Sequence, residues 1–127
     1  MPEKRTLAQA RKAKRQGKAP TTQAGAFVHE EIEHVRRGKH GARSTKQAIA
    51  IGLSKARRSG VKLSPPKKGT ASARTRKQAQ RDLSRAKSGR KASPSRSRAR
   101  LRALKREGRS AASRSALSRQ ARTSRRK

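Results

Sequence analysis

The sequence has no cysteine, tryptophan or tyrosine, and Phe27 is its one aromatic residue. Without cysteine, disulfides and thiolate metal sites are excluded. With so few aromatic rings, the chain lacks the base-stacking platforms on which single-strand binders and RNA-recognition sheets depend. Membrane binding by an amphipathic helix is also disfavoured, because such a helix places Trp, Phe and Leu on its apolar face.

Acidic residues and long apolar runs are scarce as well. Six acids stand against 39 Lys and Arg, which gives a net charge of +33. A compact fold with that excess repels itself unless a polyanion neutralises it, and nucleic acid is the default polyanion for such a chain.

No run approaches the roughly 18 apolar residues of a membrane span, and the first residues lack the apolar stretch of a signal peptide. We therefore expect a cytoplasmic protein of the nucleoid.

The strongest pattern in the chain is a pair of amphipathic helices. Over residues 21–37, apolar residues recur on one helical stripe, and Gly38 is well placed as a left-handed helix stop. A second helix is predicted over residues 44–58, where Ser44 and Gln47 have the spacing of a capping box. The large apolar residues available for a shared core are Phe27, Val28, Ile32, Val35, Ile49, Ile51, Leu53, Val61 and Leu63.

These features predict a mostly α fold in three parts. A flexible basic N-terminal arm, residues 1–20, holds a short helix capped by Thr6. A small helical hairpin, about residues 21–63, forms a domain over 21–66. Residues 67–127 carry most of the basic residues but few large apolar ones, a composition that cannot bury a core. Because Ala, Arg, Lys and Gln favour helix, we expect a basic tail that is partly helical or disordered. Its helical segments are predicted at 73–87, 95–107 and 111–125.

Basic residues at the two ends of the second predicted helix are candidate phosphate contacts. The turn Gly38–Arg43 would present backbone N–H groups and the positive end of a helix dipole, although its spacing does not match a nucleotide-binding P-loop. The alternatives are an ordinary capped helix beside a solvated loop and, at the other end, charges that offset the dipole. The predicted nucleic-acid-binding residues are Lys39, Arg43, Ser44, Lys46, Lys55, Arg57, Arg58, Lys62, Lys67, Lys68, Arg74, Arg76, Arg96, Arg98, Arg100, Arg102, Arg125 and Arg126.

The sequence indicates no enzyme. No nucleophile motif occurs, and the one aspartate lies in the tail. His29 and His34 do not share a helix face and no cysteine supports them, so these histidines and His40 are expected at the surface. Three glutamates of the first hairpin helix are expected to solubilise it and to pair with nearby arginines; they are Glu30, Glu31 and Glu33. We therefore predict no catalytic, cofactor-binding or metal-binding residues.

The stretch Arg-Ser-Thr-Lys-Gln-Ala-Ile-Ala-Ile-Gly-Leu-Ser-Lys-Ala-Arg-Arg-Ser-Gly-Val, residues 43–61, follows Gly-Lys-His-Gly. It resembles a family of small basic bacterial proteins that carry a domain of unknown function of the DUF6496 type. The resemblance covers about residues 1–69 and includes the opening Met-Pro-Glu-Lys-Arg-Thr-Leu. The tail is similar to the basic tails of histone H1-like proteins. Members are often described as DNA-binding, so the resemblance implies DNA binding in a bacterial setting, without site residues or a mechanism.

The leading hypothesis is non-sequence-specific DNA binding by neutralisation of backbone phosphates, as in a nucleoid-associated or histone-like protein. The basic residues include no base-specific contact set, so we expect little sequence preference. Duplex DNA is the favoured partner, and self-association would help to hold a small hairpin together. The alternative is an RNA-associated or ribosome-associated basic protein. A protein adaptor that docks through Phe27, Ile32 or Ile51 is a third hypothesis. No small-molecule substrate, cofactor or membrane partner is expected.

Overall fold

The computed structural model describes residues 2–67, 72–88 and 93–125, and every regular element within those ranges is a helix. The elements are α1 Lys4–Arg15, α2 Pro20–Arg36, α3 Thr45–Arg58, α4 Ala73–Ser88, α5 Pro94–Lys105, a 3-10 turn at Ser110–Ala112 and α6 Arg114–Arg125. The prediction of a mostly α protein is confirmed. None of the helices in the described ranges is long and apolar enough to cross a membrane.

The chain divides into two compact units, and each unit joins two separate stretches of sequence. Unit 1 comprises Met1–Phe27 and Gly52–Lys91, and unit 2 comprises Val28–Ile51 and Ala92–Lys127. The boundaries fall inside α2 and α3, so each of these helices supplies residues to both units. The three-part division into an arm, a hairpin domain and a tail stays a prediction.

The core of unit 1 brings α1, α2 and α3 together. Phe27 is 1% exposed and packs with small side chains from all three helices. The buried members are Ala10, Ala24, Phe27, Ala56 and Val61, with Leu7, Leu53 and Leu63 packed against them. The N-terminal helix therefore contributes to a core, although its thin apolar face gave little sign of this. It begins at Lys4, and the predicted cap Thr6 instead lies inside the helix, 4% exposed.

The core of unit 2 combines the other halves of α2 and α3 with residues from near the end of the chain. Val35 from α2 and Ala48 from α3 pack with Ala42, Ala111 and Ala112, and Ile32 covers their edge. The prediction that residues 67–127 cannot bury a core is wrong. Large apolar side chains are unnecessary there, because a backbone that carries only alanine approaches its neighbours closely and buries well.

Long-range hydrogen bonds fasten the 3-10 turn to both hairpin helices within unit 2. The Thr45 hydroxyl donates to the Ala111 carbonyl at 2.6 Å, and Arg36 Nε donates to the Ala112 carbonyl at 3.1 Å. In return, Arg109 Nη1 donates to the Arg36 carbonyl at 3.3 Å. A buried carbonyl without a partner is costly, so these bonds help the turn to tolerate its burial.

The end of α2 follows the sequence prediction closely. Gly38 has a φ of 77°, and the N–H groups of Gly38 and Lys39 donate to the carbonyls of Val35 and His34. This pair of hydrogen bonds is typical of a helix that ends at a glycine. A residue with a Cβ is strained at the positive φ that Gly38 adopts. The end of α2, and with it the start of the turn that leads into α3, therefore depends on Gly38.

Gly41 occupies the tightest place that the structure describes in this turn. A Cβ on Gly41 would lie 1.9 Å from the Glu107 carbonyl oxygen, a main-chain atom that cannot rotate away. The Gly41 N–H donates to the Leu104 carbonyl at 2.8 Å, and the Ala42 N–H donates to the Gly108 carbonyl at 3.0 Å. The turn and the segment after α5 therefore run side by side with no room for a side chain.

Gly41→Ala should destabilise unit 2, because the added methyl group forces two hydrogen-bonded backbones apart. We expect a loss of about 1–3 kcal/mol in the free energy of unfolding, which is the usual cost of overpacking. Urea unfolding followed by circular dichroism measures it. The matched control is Gly25→Ala: a Cβ on this α2 glycine meets nothing within 4 Å, so that variant should gain up to about 1 kcal/mol of helix propensity. Equal stabilities of the two variants would contradict the close approach.

Candidate nucleic-acid interface

The start of α3 is built as the sequence predicts. The helix begins at Thr45, and the Ser44 hydroxyl accepts a hydrogen bond from the Gln47 N–H at 3.1 Å. The Gln47 side chain reaches back one residue further than a capping box requires, and its Oε1 accepts from the Arg43 N–H at 2.6 Å. Ser44 is therefore confirmed as the helix cap, and its hydroxyl is already engaged within the protein.

The turn before α3 engages three of its main-chain donors within the protein. The N–H groups of Gly41, Ala42 and Arg43 all donate to acceptors of the protein itself. Lys39, Arg43 and Lys46 are exposed at the surface of unit 2. A phosphate at this turn would therefore meet these cationic side chains, whereas the N–H groups of residues 41–43 already have acceptors within the protein.

At the other end of α3, Arg57 points into unit 1. It is 7% exposed, and its Nε and Nη2 donate to the Leu63 and Ser64 carbonyls, each at 3.1 Å. Burial lowers the pKa of the Arg57 guanidinium, and the nearby Asp82 carboxylate opposes that effect by raising it. These contacts fasten the segment after α3, so we assign Arg57 a structural task and leave it out of the proposed interface.

Arg58 is also engaged within unit 1, in a buried cluster around Asp82. Its Nε lies 3.8 Å from Asp82 Oδ1, and Asp82 is 1% exposed. The Ser54 hydroxyl donates to Asp82 Oδ2 at 2.5 Å, and Gln78 Nε2 donates to Oδ1 at 3.2 Å. The sequence did not indicate this cluster, because a single aspartate in a basic tail looks like an ordinary surface residue.

The remaining predicted basic residues are mostly accessible. Lys55, Arg58 and Arg76 are half-buried, and Arg76 Nε donates to the Pro66 carbonyl at 3.1 Å. Lys68 and Arg126 lie outside the described residues, and so does the side chain of Arg125. The exposed members of the predicted set are Lys39, Arg43, Ser44, Lys46, Lys62, Lys67, Arg74, Arg96, Arg98, Arg100 and Arg102.

The four arginines of α5 point in two directions. With about 100° of rotation per residue, Arg98 and Arg102 share one stripe, about 120–160° from the buried Leu104. Arg96 and Arg100 share the other stripe, within about 80° of Leu104. All four are exposed, but the first pair projects away from the buried face. A nearly flat partner such as a duplex can meet one stripe at a time, so the two pairs are not equivalent.

Two predictions about acidic residues and histidines in this part of the chain are wrong. Glu30 and Glu31, expected to solubilise the helix, are 5% and 0% exposed, and His40, expected at the surface, is 8% exposed. The expected pairing with arginines is confirmed for Glu33, which lies 3.5 Å from Arg36 Nη1 and 3.8 Å from Arg37 Nε. Composition could not reveal the burial of Glu31, because its neighbours come from a turn whose path only the fold defines.

The hairpin residues match the model of a known protein family. Residues 23–68 match DUF6496, a family of unknown function. The match takes in most of α2, the turn and all of α3, so the family resemblance seen in the sequence is confirmed over this segment. No curated protein and no solved structure matches the chain. The expectation that no catalytic or cofactor-binding residues occur stays a prediction.

Proposed function

We propose that this protein binds DNA without sequence preference by neutralising backbone phosphates, in the manner of a nucleoid-associated or histone-like protein. The observation that carries the proposal is the accessibility of its charge. The net charge is +33, and each described α-helix presents at least one exposed Lys or Arg. Lys and Arg that contact phosphates fix a protein on nucleic acid without reading its sequence.

The position of Phe27 favours a duplex over an unpaired strand. Proteins that bind single strands stack bases on exposed aromatic rings, and Phe27 is the one aromatic residue of the sequence. It is 1% exposed in the core of unit 1, so the Phe27 ring is not available for stacking. The same burial removes Phe27 from the adaptor hypothesis, in which it would dock a partner. Ile32 and Ile51 remain for that hypothesis.

Binding of the full chain to labelled duplexes over a range of salt concentrations tests the proposal. Each neutralised phosphate contributes about −0.9 to the slope of log K against log salt on duplex DNA. We expect a steep slope that is the same for duplexes of unrelated sequence, measured by fluorescence anisotropy. Affinity that barely changes between low and high salt, or that differs strongly between sequences, would contradict the proposal.

Competition separates the proposal from its alternative. If structured RNA or intact ribosomes displace the labelled duplex at far lower nucleotide concentration than unlabelled duplex does, the protein is RNA-associated. Crosslinking in cells followed by sequencing of the bound DNA and RNA gives the same distinction without purification. Predominant recovery of DNA, spread broadly over the genome, is the result that non-sequence-specific DNA binding predicts.

A further inference from the structure

Unit 2 contains a cluster of one buried carboxylate and two imidazoles. Glu31 and His34 lie one turn apart on α2, a spacing that places both side chains on one face of the helix. His40 joins them from the turn that follows Gly38. The ligand atoms offered by these three residues all lie within 4.8 Å of one another.

The geometry points to a divalent metal site, which we propose binds Zn²⁺ through Glu31, His34 and His40. Zinc bonds to histidine nitrogen and carboxylate oxygen are about 2.0–2.2 Å long, so tetrahedral ligand atoms stand about 3.3–3.5 Å apart. His40 Nε2 lies 3.2 Å from Glu31 Oε2, and His34 Nδ1 lies 3.8 Å from Glu31 Oε1. The two histidines face different oxygens of the one carboxylate, and both separations are close to the spacing of zinc ligands.

The hydrogen bond made by His40 supports this assignment. Its Nδ1 lies 2.9 Å from the Gly41 carbonyl oxygen, which only accepts hydrogen bonds, so Nδ1 carries the proton. The other ring nitrogen, Nε2, faces the Glu31 carboxylate, 3.2 Å from Oε2. Histidines that bind metals commonly donate their other ring N–H to a backbone carbonyl in this way.

The third group favours a metal site over a simple ion pair. An ion pair needs only His40 and Glu31, whereas a metal ion is usually held by at least three ligand atoms. The His34 ring packs edge-on to the His40 ring, with centroids 5.8 Å apart and planes at 84°, so both rings border the same carboxylate. The His34 side chain is 13% exposed, which leaves a route for the ion and for a water molecule as the fourth ligand.

The surrounding turn supports the cluster. The hydrogen bonds of the Gly41 and Ala42 N–H groups to the Leu104 and Gly108 carbonyls fix the backbone that carries the His40 acceptor. The net charge of the chain repels cations over long distances, but at 0.15 M salt this repulsion is screened beyond about 8 Å. Glu31, as one of the ligands, would place a negative charge in direct contact with the ion.

The test is a titration of the full-length, chelator-treated protein with Co²⁺, as a spectroscopic substitute for Zn²⁺, and with Zn²⁺ itself, in 0.15 M salt without phosphate. We expect one equivalent of Co²⁺ to give a visible tetrahedral absorption band, which one equivalent of Zn²⁺ then abolishes. Zn²⁺ should also raise the melting temperature. His34→Gln should weaken the affinity for Co²⁺ at least tenfold and remove the thermal shift. His29→Gln, which alters an exposed histidine outside the cluster, should behave like the wild type.

Two results would overturn the proposal: no Co²⁺ band in the wild type, or equal bands in the wild type and His34→Gln. His34 is the least buried of the three ligands by side chain, so its variant is the most suitable for comparison. If that variant unfolds, paramagnetic NMR of the Co²⁺-loaded wild type decides the question. Shifted ring N–H resonances from two histidines, retained in His29→Gln, support the site, and resonances from fewer than two exclude it.

Discussion

The double variant Arg98→Gln and Arg102→Gln should bind duplex DNA more weakly and with a flatter salt dependence. If both side chains contact phosphates, the log–log slope loses about 1.8, which is roughly a 60-fold loss of affinity at 0.1 M salt. The weakening should be equal for all duplex sequences, because phosphate contacts carry no sequence information. Fluorescence anisotropy at several salt concentrations measures both quantities.

The control for this variant lies on the same helix. The double variant Arg96→Gln and Arg100→Gln also removes two positive charges, but from the stripe that lies beside the buried Leu104. We expect it to reduce the salt slope by less than half of the reduction caused by Arg98→Gln with Arg102→Gln. An equal reduction by both pairs would show that α5 contributes only its overall charge. Deleting residues 67–127 is a poorer test, because it also removes Asp82 and Ala111 from the interiors of the two units.

Asp82→Ala should destabilise unit 1 by about 3 kcal/mol, the lower end of the cost of removing one partner from a buried ion pair. The substitution removes the acceptor of the Ser54 and Gln78 hydrogen bonds. It also removes the carboxylate that pairs with Arg58. Arg58 is 24% exposed, so water can reach it and limit the loss. Chemical unfolding followed by circular dichroism, together with the melting temperature, measures the effect.

Glu107→Gln is the matched control for Asp82. Glu107 is an exposed acid of the same basic region, so its loss raises the net charge by the same single unit without touching a core. We expect a change within about 0.5 kcal/mol, as for most surface substitutions. If both variants lose the same stability, electrostatic repulsion across the chain explains the effect, and the buried contacts of Asp82 do not.

Local signals in the sequence were enough to place the helices. Amphipathic spacing and the cap at Ser44 defined α2 and α3, and Gly38 ended α2 as expected. The tail helices were also predicted near their observed bounds, Ala73–Ser88, Pro94–Lys105 and Arg114–Arg125, because Ala, Arg, Lys and Gln favour helix wherever they are concentrated.

Contacts between distant parts of the chain could not be predicted in the same way. The hydrogen bond from Thr45 to Ala111 joins residues 66 positions apart, and nothing near either residue signals the other. An alanine that packs in a core looks the same in sequence as one that only favours helix. The burial of Glu31 and Asp82 was missed for a related reason: their partners become neighbours only after the chain has folded.

The docking of the 3-10 turn onto α2 and α3 also determines when unit 2 can fold. Val35 and Ala48 can complete their packing only when Ala111 and Ala112 are present, and these alanines are translated more than 60 residues later. At a translation rate of about 5–20 residues per second, roughly 3–13 seconds pass before those alanines are made. Throughout that interval the apolar side chains of Val35 and Ala48 are not covered by these alanines, in a chain that already carries a strong positive charge. Ribosomal RNA is a polyanion close to the nascent chain, so the phosphate contacts proposed for the basic residues would be open to it before unit 2 has closed.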